Sequence, residues 1–229
     1  MTTPIIGPHT VMPDQAHTAL MRFVPPNTPS NVAVFGEYTA YDVLHVIVAT
    51  TWDVADRAGL DFGVLLAQQW HETAERKEGD PRGYVPYSSW WAARPRRNPA
   101  GVGVTGRSQA VRRDAYGMAI MPASGEWALH PGENEWREGV SFESWKDESI
   151  LAQAGRLLAY ALAKGAGTPE QQRLISFALS FRPLPDRARG SAPTVRELGR
   201  VHNRSGLGWA SPGVYYGAKI EERIRKIRG

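Results

Sequence analysis

Along this chain, apolar residues return every three or four positions in several stretches, and lose that spacing in one long interval between them. The first stretch is short: Asp14 suits the N-cap of a helix reaching about Phe23, and Pro25 to Ser30 reads as a linker. Thr39 suits the cap of the next helix, in which Val43, Leu44, Ile47, Val48, Thr51 and Ala55 follow helical spacing until Gly59 ends it. Asp61 then caps a helix from Phe62 to about Lys77, with Phe62, Leu65, Leu66 and Gln69 along one arc.

From Gly79 to Val140 the spacing breaks, and Gly, Pro, Arg and Trp dominate. Short strands are expected near Gly117–Met121, Glu126–Leu129 and Trp136–Phe142, giving loop plus a small β-ribbon. Helical spacing returns with Asp147 or Ser149 as cap and Ile150, Leu151, Ala154, Leu157, Leu158, Ala161 and Leu162 as the stripe; Gly165 and Gly167 stop it. Thr168-Pro169-Glu170 starts another helix, with Pro at the first helical position. The tail is mostly loop, with short helices expected near Thr194–Leu198 and Ala218–Ile227. The pattern predicts a mainly α (α+β) fold in three parts: an N-terminal arm and linker over 1–30, a helical domain over 31–182 with a β-ribbon lobe at about 107–142, and an extension over 183–229 packed on that domain.

Composition narrows the chemistry. A chain of 229 residues can enclose a full core. With no Cys, disulfides and thiolate metal sites are excluded. No run approaches a membrane span, and Met1 to Thr10 lacks the pattern of a signal peptide. The net charge of +4 is uneven: residues 1–181 hold 16 basic and 19 acidic groups, residues 182–229 hold 11 and 4. Seven Arg and no acid lie between Arg82 and Arg113. Such stretches attract polyanions, of which nucleic acid and the bacterial wall are two. The eight Trp offer flat faces for sugars or bases, or simply fill the core.

Two motifs fail in context. Gly101 to Gly106 matches G-x-G-x-x-G, but the Arg- and Pro-rich segment Arg94–Pro99 precedes it where a buried strand is required. His71-Glu72 begins H-E-x-x-H, but Glu75 replaces the second His, and His9, His17, His45, His130 and His202 have no ligand spacing. Neither a cofactor nor a metal is expected.

Glu72 is the candidate acid. It falls seven residues after Leu65, about 20° away on a helical wheel, at the edge of the apolar arc and in the last helical turn. Partial desolvation and the negative end of the helix dipole both raise a carboxyl's pKa there. A carboxylic acid that keeps its proton near neutral pH can protonate a departing glycosidic oxygen. The plainer alternative is a solvated Glu at a fraying helix end.

Three segments carry a resemblance: Leu65-Leu-Ala-Gln-Gln-Trp-His-Glu72-Thr, Asn98-Pro-Ala-Gly-Val-Gly-Val-Thr-Gly106, and Phe142-Glu-Ser-Trp145 leading into a helix. Together they resemble the glucosaminidase family, glycoside hydrolase family seventy-three, the lysozyme-like peptidoglycan hydrolases of autolysins, flagellar muramidases and phage lysins. Trp90-Trp91, Arg189–Thr194, Trp209–Gly213 and Tyr216-Gly217 are similar to one subgroup, so the likeness runs in order along nearly the whole chain.

The resemblance implies a lysozyme-like fold with Glu72 as catalytic acid and Asn98, Gly101 and Val102 as the cleft-floor loop. For a second carboxylate the ribbon offers Asp114, Glu126, Glu133, Glu135 and Glu138; Glu126, followed by Trp127, is favoured, with a plainly solvated role as the alternative. Phe142 stands where many members have a Tyr near the active site, which leaves open how the second half-reaction is assisted. Tyr87, Trp90 and Trp91 are candidates for sugar stacking or for core packing, and Arg94, Arg96 and Arg97 for wall carboxylates or a solvated face.

The implied activity is an endo-β-N-acetylglucosaminidase acting at the bacterial cell wall, secreted or phage-delivered. The alternatives are an N-acetylmuramidase or lytic transglycosylase on the same fold, or a non-catalytic wall-binding or structural protein. The expected partner is the peptidoglycan glycan strand, with neither nucleic acid nor membrane, and the expected state is monomeric.

Overall fold

The computed structural model describes residues 2–23, 43–76, 84–92, 96–130 and 132–229. Among them run α1 (Pro13–Leu20), α2 (Ala49–Ala58), α3 (Phe62–Thr73), α4 (Ile150–Ala161), α5 (Pro169–Phe181) and α6 (Tyr216–Arg228). Between α3 and α4 the described residues form the short strands β1 (Glu75–Arg76), β2 (Tyr84–Val85), β3 (Ser108–Ala110), β4 (Arg112–Arg113), β5 (Ala119–Ile120), β6 (Trp127–His130) and β7 (Glu135–Glu138). The architecture is α+β, helical with a small sheet lobe. The linker expected at Pro25–Ser30 and the cap expected at Thr39 lie outside the described residues.

α3 is the axis of the helical part. Asp61 caps it as expected: its Oδ1 accepts from the Gly63 N–H at 2.8 Å and from the backbone and hydroxyl of Thr10 at 2.9 and 3.1 Å. Every residue from Phe62 to Trp70 is buried, so the helix is enclosed on all sides rather than along one arc. It stops at Thr73, short of the Lys77 expected. The Thr73 hydroxyl donates back to the Gln69 carbonyl (2.6 Å) and accepts the Tyr87 N–H (2.9 Å), while Ala74 turns to extended geometry and leads into β1.

α2 and α6 pack on α3, α4 packs on α2 and reaches α3 through the Gln153 amide, and α5 packs along α4. A wide π-helical turn, Val43–Val48, runs into α2, and another, Trp145–Ser149, runs into α4. The cap of that second turn is Ser144, accepting from the Asp147 N–H at 3.0 Å, rather than Asp147 or Ser149. α5 begins as its sequence predicts, with Thr168 and Gln171 exchanging side-chain and backbone bonds ahead of Pro169. α1 is capped at Met12 rather than Asp14, because Pro13 takes the first helical position and Gln15 reaches back to the Met12 N–H.

The lobe is a three-stranded antiparallel sheet in the order β3-β7-β6, extended by the β4–β5 hairpin. Its strands are shorter than the sequence predicts. Asp114 accepts the N–H groups of Tyr116 and Met118 to make a turn that occupies part of the expected Gly117–Met121 strand.

Both ends of the chain are sewn into the helical part. Ile5 is fully buried and bonds through its backbone to Pro193 and Asp61, joining the arm to the tail and to the start of α3. The Glu221 carboxylate of α6 accepts from the Thr3 backbone and hydroxyl. α6 buries Tyr216, Ile220, Ile224 and Ile227 on one face, along α3. Gly217 permits its start: a Cβ there would stand 2.6 Å from Arg196 Cα, so only glycine lets the helix rest on that turn. That contact brings Tyr216 to the end of α3.

Candidate active site

Glu72 is one residue from the end of α3 and is half-buried. Burial pushes its carboxyl up from the usual 4.5 to about 7, and a hydrogen bond from Tyr216 opposes that rise without cancelling it. The Tyr216 hydroxyl donates to Glu72 Oε1 at 2.5 Å. Desolvation therefore outweighs charge-stabilising bonding, and the acid holds its proton near neutral pH.

Its neighbour His71 does not act as a cation. Burial, reinforced by the charges of Lys219 and Arg223, lowers the imidazole to about 4. The ring meets the edge of Tyr216 at 5.2 Å between centroids. The neutral imidazole helps seat the tyrosine that holds the acid.

In front of the carboxyl lies the loop 98–103. The Asn98 side chain is buried and builds this loop from within: Nδ2 donates to the carbonyls of Val102 (2.8 Å) and Val140 (3.0 Å), and Oδ1 accepts the Val102 N–H (2.8 Å). Val102 is buried beside it and pairs by backbone with Val140. Asn98 and Val102 thus shape the floor, and their side chains do not offer a contact surface. Gly101, with φ at +62°, is the residue that faces the acid: a Cβ on it would lie 3.8 Å from Glu72 Oε2. The left-handed backbone requires glycine, and its bareness keeps the space beside that oxygen clear.

Trp90 and Trp91 are both partly exposed and meet edge to face at 4.8 Å. The Arg96 guanidinium lies 3.9 Å above Trp90, and His130 stands 4.7 Å from the same ring, so much of that indole is already engaged. Trp91 leans on Gly139 and helps to line a pocket of about 230 Å³ with Val104, Arg107, Glu135 and Glu138. That pocket does not include Glu72. Of the two indoles, Trp91 is the better placed to meet a ligand.

Two candidate contact residues are corrected. Tyr87 is fully buried and donates to Gln69 Oε1 at 2.9 Å, so no sugar can stack on it. Phe142 is buried in a second apolar cluster against Phe177 and Phe181, and it also belongs to the core. Glu126 is exposed at the start of β6. Glu138 is the strongly ionised carboxylate of the lobe: bonds from Arg107 and Thr105 hold it at about 2.

Tyr216, noted in the sequence only within the Tyr216-Gly217 likeness and not among the expected site residues, is the side chain that bonds to Glu72. Its signal was indirect, an aromatic opening the final amphipathic helix. Gln68, Gln69 and Gln153 were missed as well, though three amides inside otherwise apolar helical runs imply buried partners. No family model matches this chain, and no curated protein or solved structure matches it either.

Proposed function

We propose that this chain is a lysozyme-like peptidoglycan hydrolase that cleaves β-1,4 glycosidic bonds of the glycan strand, as an endo-β-N-acetylglucosaminidase with Glu72 as general acid. One observation carries the reading: a shielded carboxyl, protonated to about pH 7, faces a bare glycine in a loop braced by Asn98. Glu72 Oε2 gives its proton to the leaving glycosidic oxygen as the bond to the anomeric carbon breaks. The 2-acetamido oxygen of the N-acetyl sugar then stabilises that carbon by internal attack, and the Glu72 carboxylate takes a proton from the water that opens the intermediate. Glu126 serves to position that water or to steady positive charge. Arg-rich surfaces draw the anionic wall toward the cleft.

The exposure of Glu126, together with the lack of any charged group among the described residues that shifts Glu72, fits a single-acid site. For that reason a lytic transglycosylase or N-acetylmuramidase is the second reading. Mass spectrometry of sacculi digested by the native protein and by Glu72→Gln decides among them. Reducing GlcNAc ends released only by the native protein support the first reading. Reducing or 1,6-anhydro MurNAc ends move the assignment to the second. Intact sacculi after exposure to the native protein end both.

A further inference from the structure

Five hydrogen bonds run through the buried interior to Glu72, and all five donate toward it. Tyr87 donates to Gln69 Oε1 (2.9 Å), Gln69 Nε2 to Gln153 Oε1 (2.8 Å), and Gln153 Nε2 to Gln68 Oε1 (2.9 Å). Gln68 Nε2 donates to the Tyr216 hydroxyl (3.0 Å), and that hydroxyl to Glu72 Oε1 (2.5 Å). Tyr87 and the three glutamines are fully buried, and Tyr216 is 5% exposed, so none of these groups can turn to bulk water for a partner.

Two accept-only carbonyls fix the direction. Gln153 Nε2 also donates to the Leu65 carbonyl at 3.2 Å, so that end of the amide is the nitrogen. Thr51 gives its one proton to the Ile47 carbonyl (2.7 Å) and must accept from Gln69 Nε2 (3.0 Å). With Gln69 and Gln153 oriented, Gln68 has to turn its oxygen to Gln153 and its NH2 to Tyr216; the reverse would set two NH2 groups face to face. Tyr216 then accepts from Gln68 and has Glu72 as the outlet for its own proton.

We infer that Tyr216 is a positioning residue: oriented by the Gln153–Gln68 relay, it keeps Glu72 Oε1 as an acceptor and so confines the acid's proton to Oε2, the oxygen that faces Gly101. The reacting proton thereby stands on the side that faces Gly101 before substrate arrives. A chain of like-directed bonds also polarises each hydroxyl or amide in turn, which strengthens the last bond. Among the described residues no other group competes for this role. From α6, Lys219, Glu222 and Arg223 act on His71, the Asn98 loop presents Gly101, and of the described side chains Tyr216 is the one that shifts Glu72, against the effect of burial.

The catalytic meaning rests on Glu72 being the acid proposed above, whereas the relay can be tested without any turnover. The full chain, labelled with carbon-13 at glutamate carboxyls, is titrated by NMR, and Glu72→Gln identifies the Glu72 signal. In Tyr216→Phe the bond that favours the charged form is gone, and the midpoint rises from about 7 toward about 8. An unchanged midpoint, or one falling toward 4.5 as water enters, overturns the inference. Gln68→Met keeps Tyr216 but removes its orienting donor; its midpoint rises by less, and no rise overturns the relay even where Tyr216→Phe does not fold. Sugar release from sacculi is followed on the same preparations. Its absence in the native protein defeats the hydrolase reading, while the midpoints alone decide the relay.

Discussion

Gly101 and Glu72 face one another: a Cβ on the glycine would lie 3.8 Å from Oε2 of the acid. The glycine is required twice, once by its φ of +62° and once by the space it leaves. A β-branched residue there is strained by about 1–2 kcal/mol and sets methyl groups where a glycosidic oxygen has to approach. Gly101→Val is therefore expected to lower kcat/KM on sacculi by about 100-fold, on the scale of a misplaced reacting group. Parallel thermal denaturation separates the two effects: lost activity with a small fall in Tm is expected, and near-native activity contradicts the placement of the loop.

Glu72 destabilises the folded chain once it is ionised. Its folded pKa, about 7, lies above the ordinary 4.5, so the neutral form is the one the fold prefers. The stability it contributes is full below about pH 4.5, declines as pH rises toward 7, and is gone above that. Gln keeps an oxygen for Tyr216 and never ionises. Glu72→Gln is expected to match the native protein near pH 4 and to exceed it by about 1–3 kcal/mol at pH 8. Urea unfolding at the two pH values measures this; equal stabilities at pH 8 mean that the carboxyl is not shielded.

The same group sets the alkaline limb of activity. A general acid works while it holds its proton, so kcat/KM is expected to fall tenfold per pH unit above a midpoint near 7. Initial rates of sacculus clearing between pH 5 and 9, at fixed ionic strength, report it. A limb centred near 4.5 assigns the profile to an ordinary carboxylate, and a flat profile to pH 9 removes Glu72 from the acid's role.

Legibility in the sequence followed the range of the interactions involved. The caps at Asp61 and Thr168 are local bonds between residues two or three apart, and the sequence displays them directly. Glu72 was legible for a similar reason, since helical geometry alone puts it beside Leu65. The end of α3 was not, because Thr73 is held by Tyr87 across a chain reversal that no periodicity announces. Tyr216 reaches Glu72 across 144 positions, and only packing of the tail on α3 creates that pair. Tyr87 and Phe142 erred in the opposite direction: aromatics near a cleft loop look like contact residues, yet burial decides and both are core.

Trp91 and Phe142 provide a paired test of which aromatics meet substrate. Trp91 is partly exposed over the pocket that Glu135 and Glu138 help to line, whereas Phe142 is enclosed by Phe177 and Phe181. Truncating Trp91 removes a stacking face together with its packing on Gly139. Trp91→Ala is expected to raise KM for soluble glycan fragments by about 10-fold or more, given the ~1–3 kcal/mol that aromatic stacking contributes to binding flat ligands. Phe142→Leu opens a small void in the core and should cost about 1–1.5 kcal/mol of stability while leaving KM unchanged. Kinetics and thermal melts on both variants read the contrast directly. A raised KM in Phe142→Leu with a native KM in Trp91→Ala contradicts the assignment of Trp91 to the substrate and of Phe142 to the core.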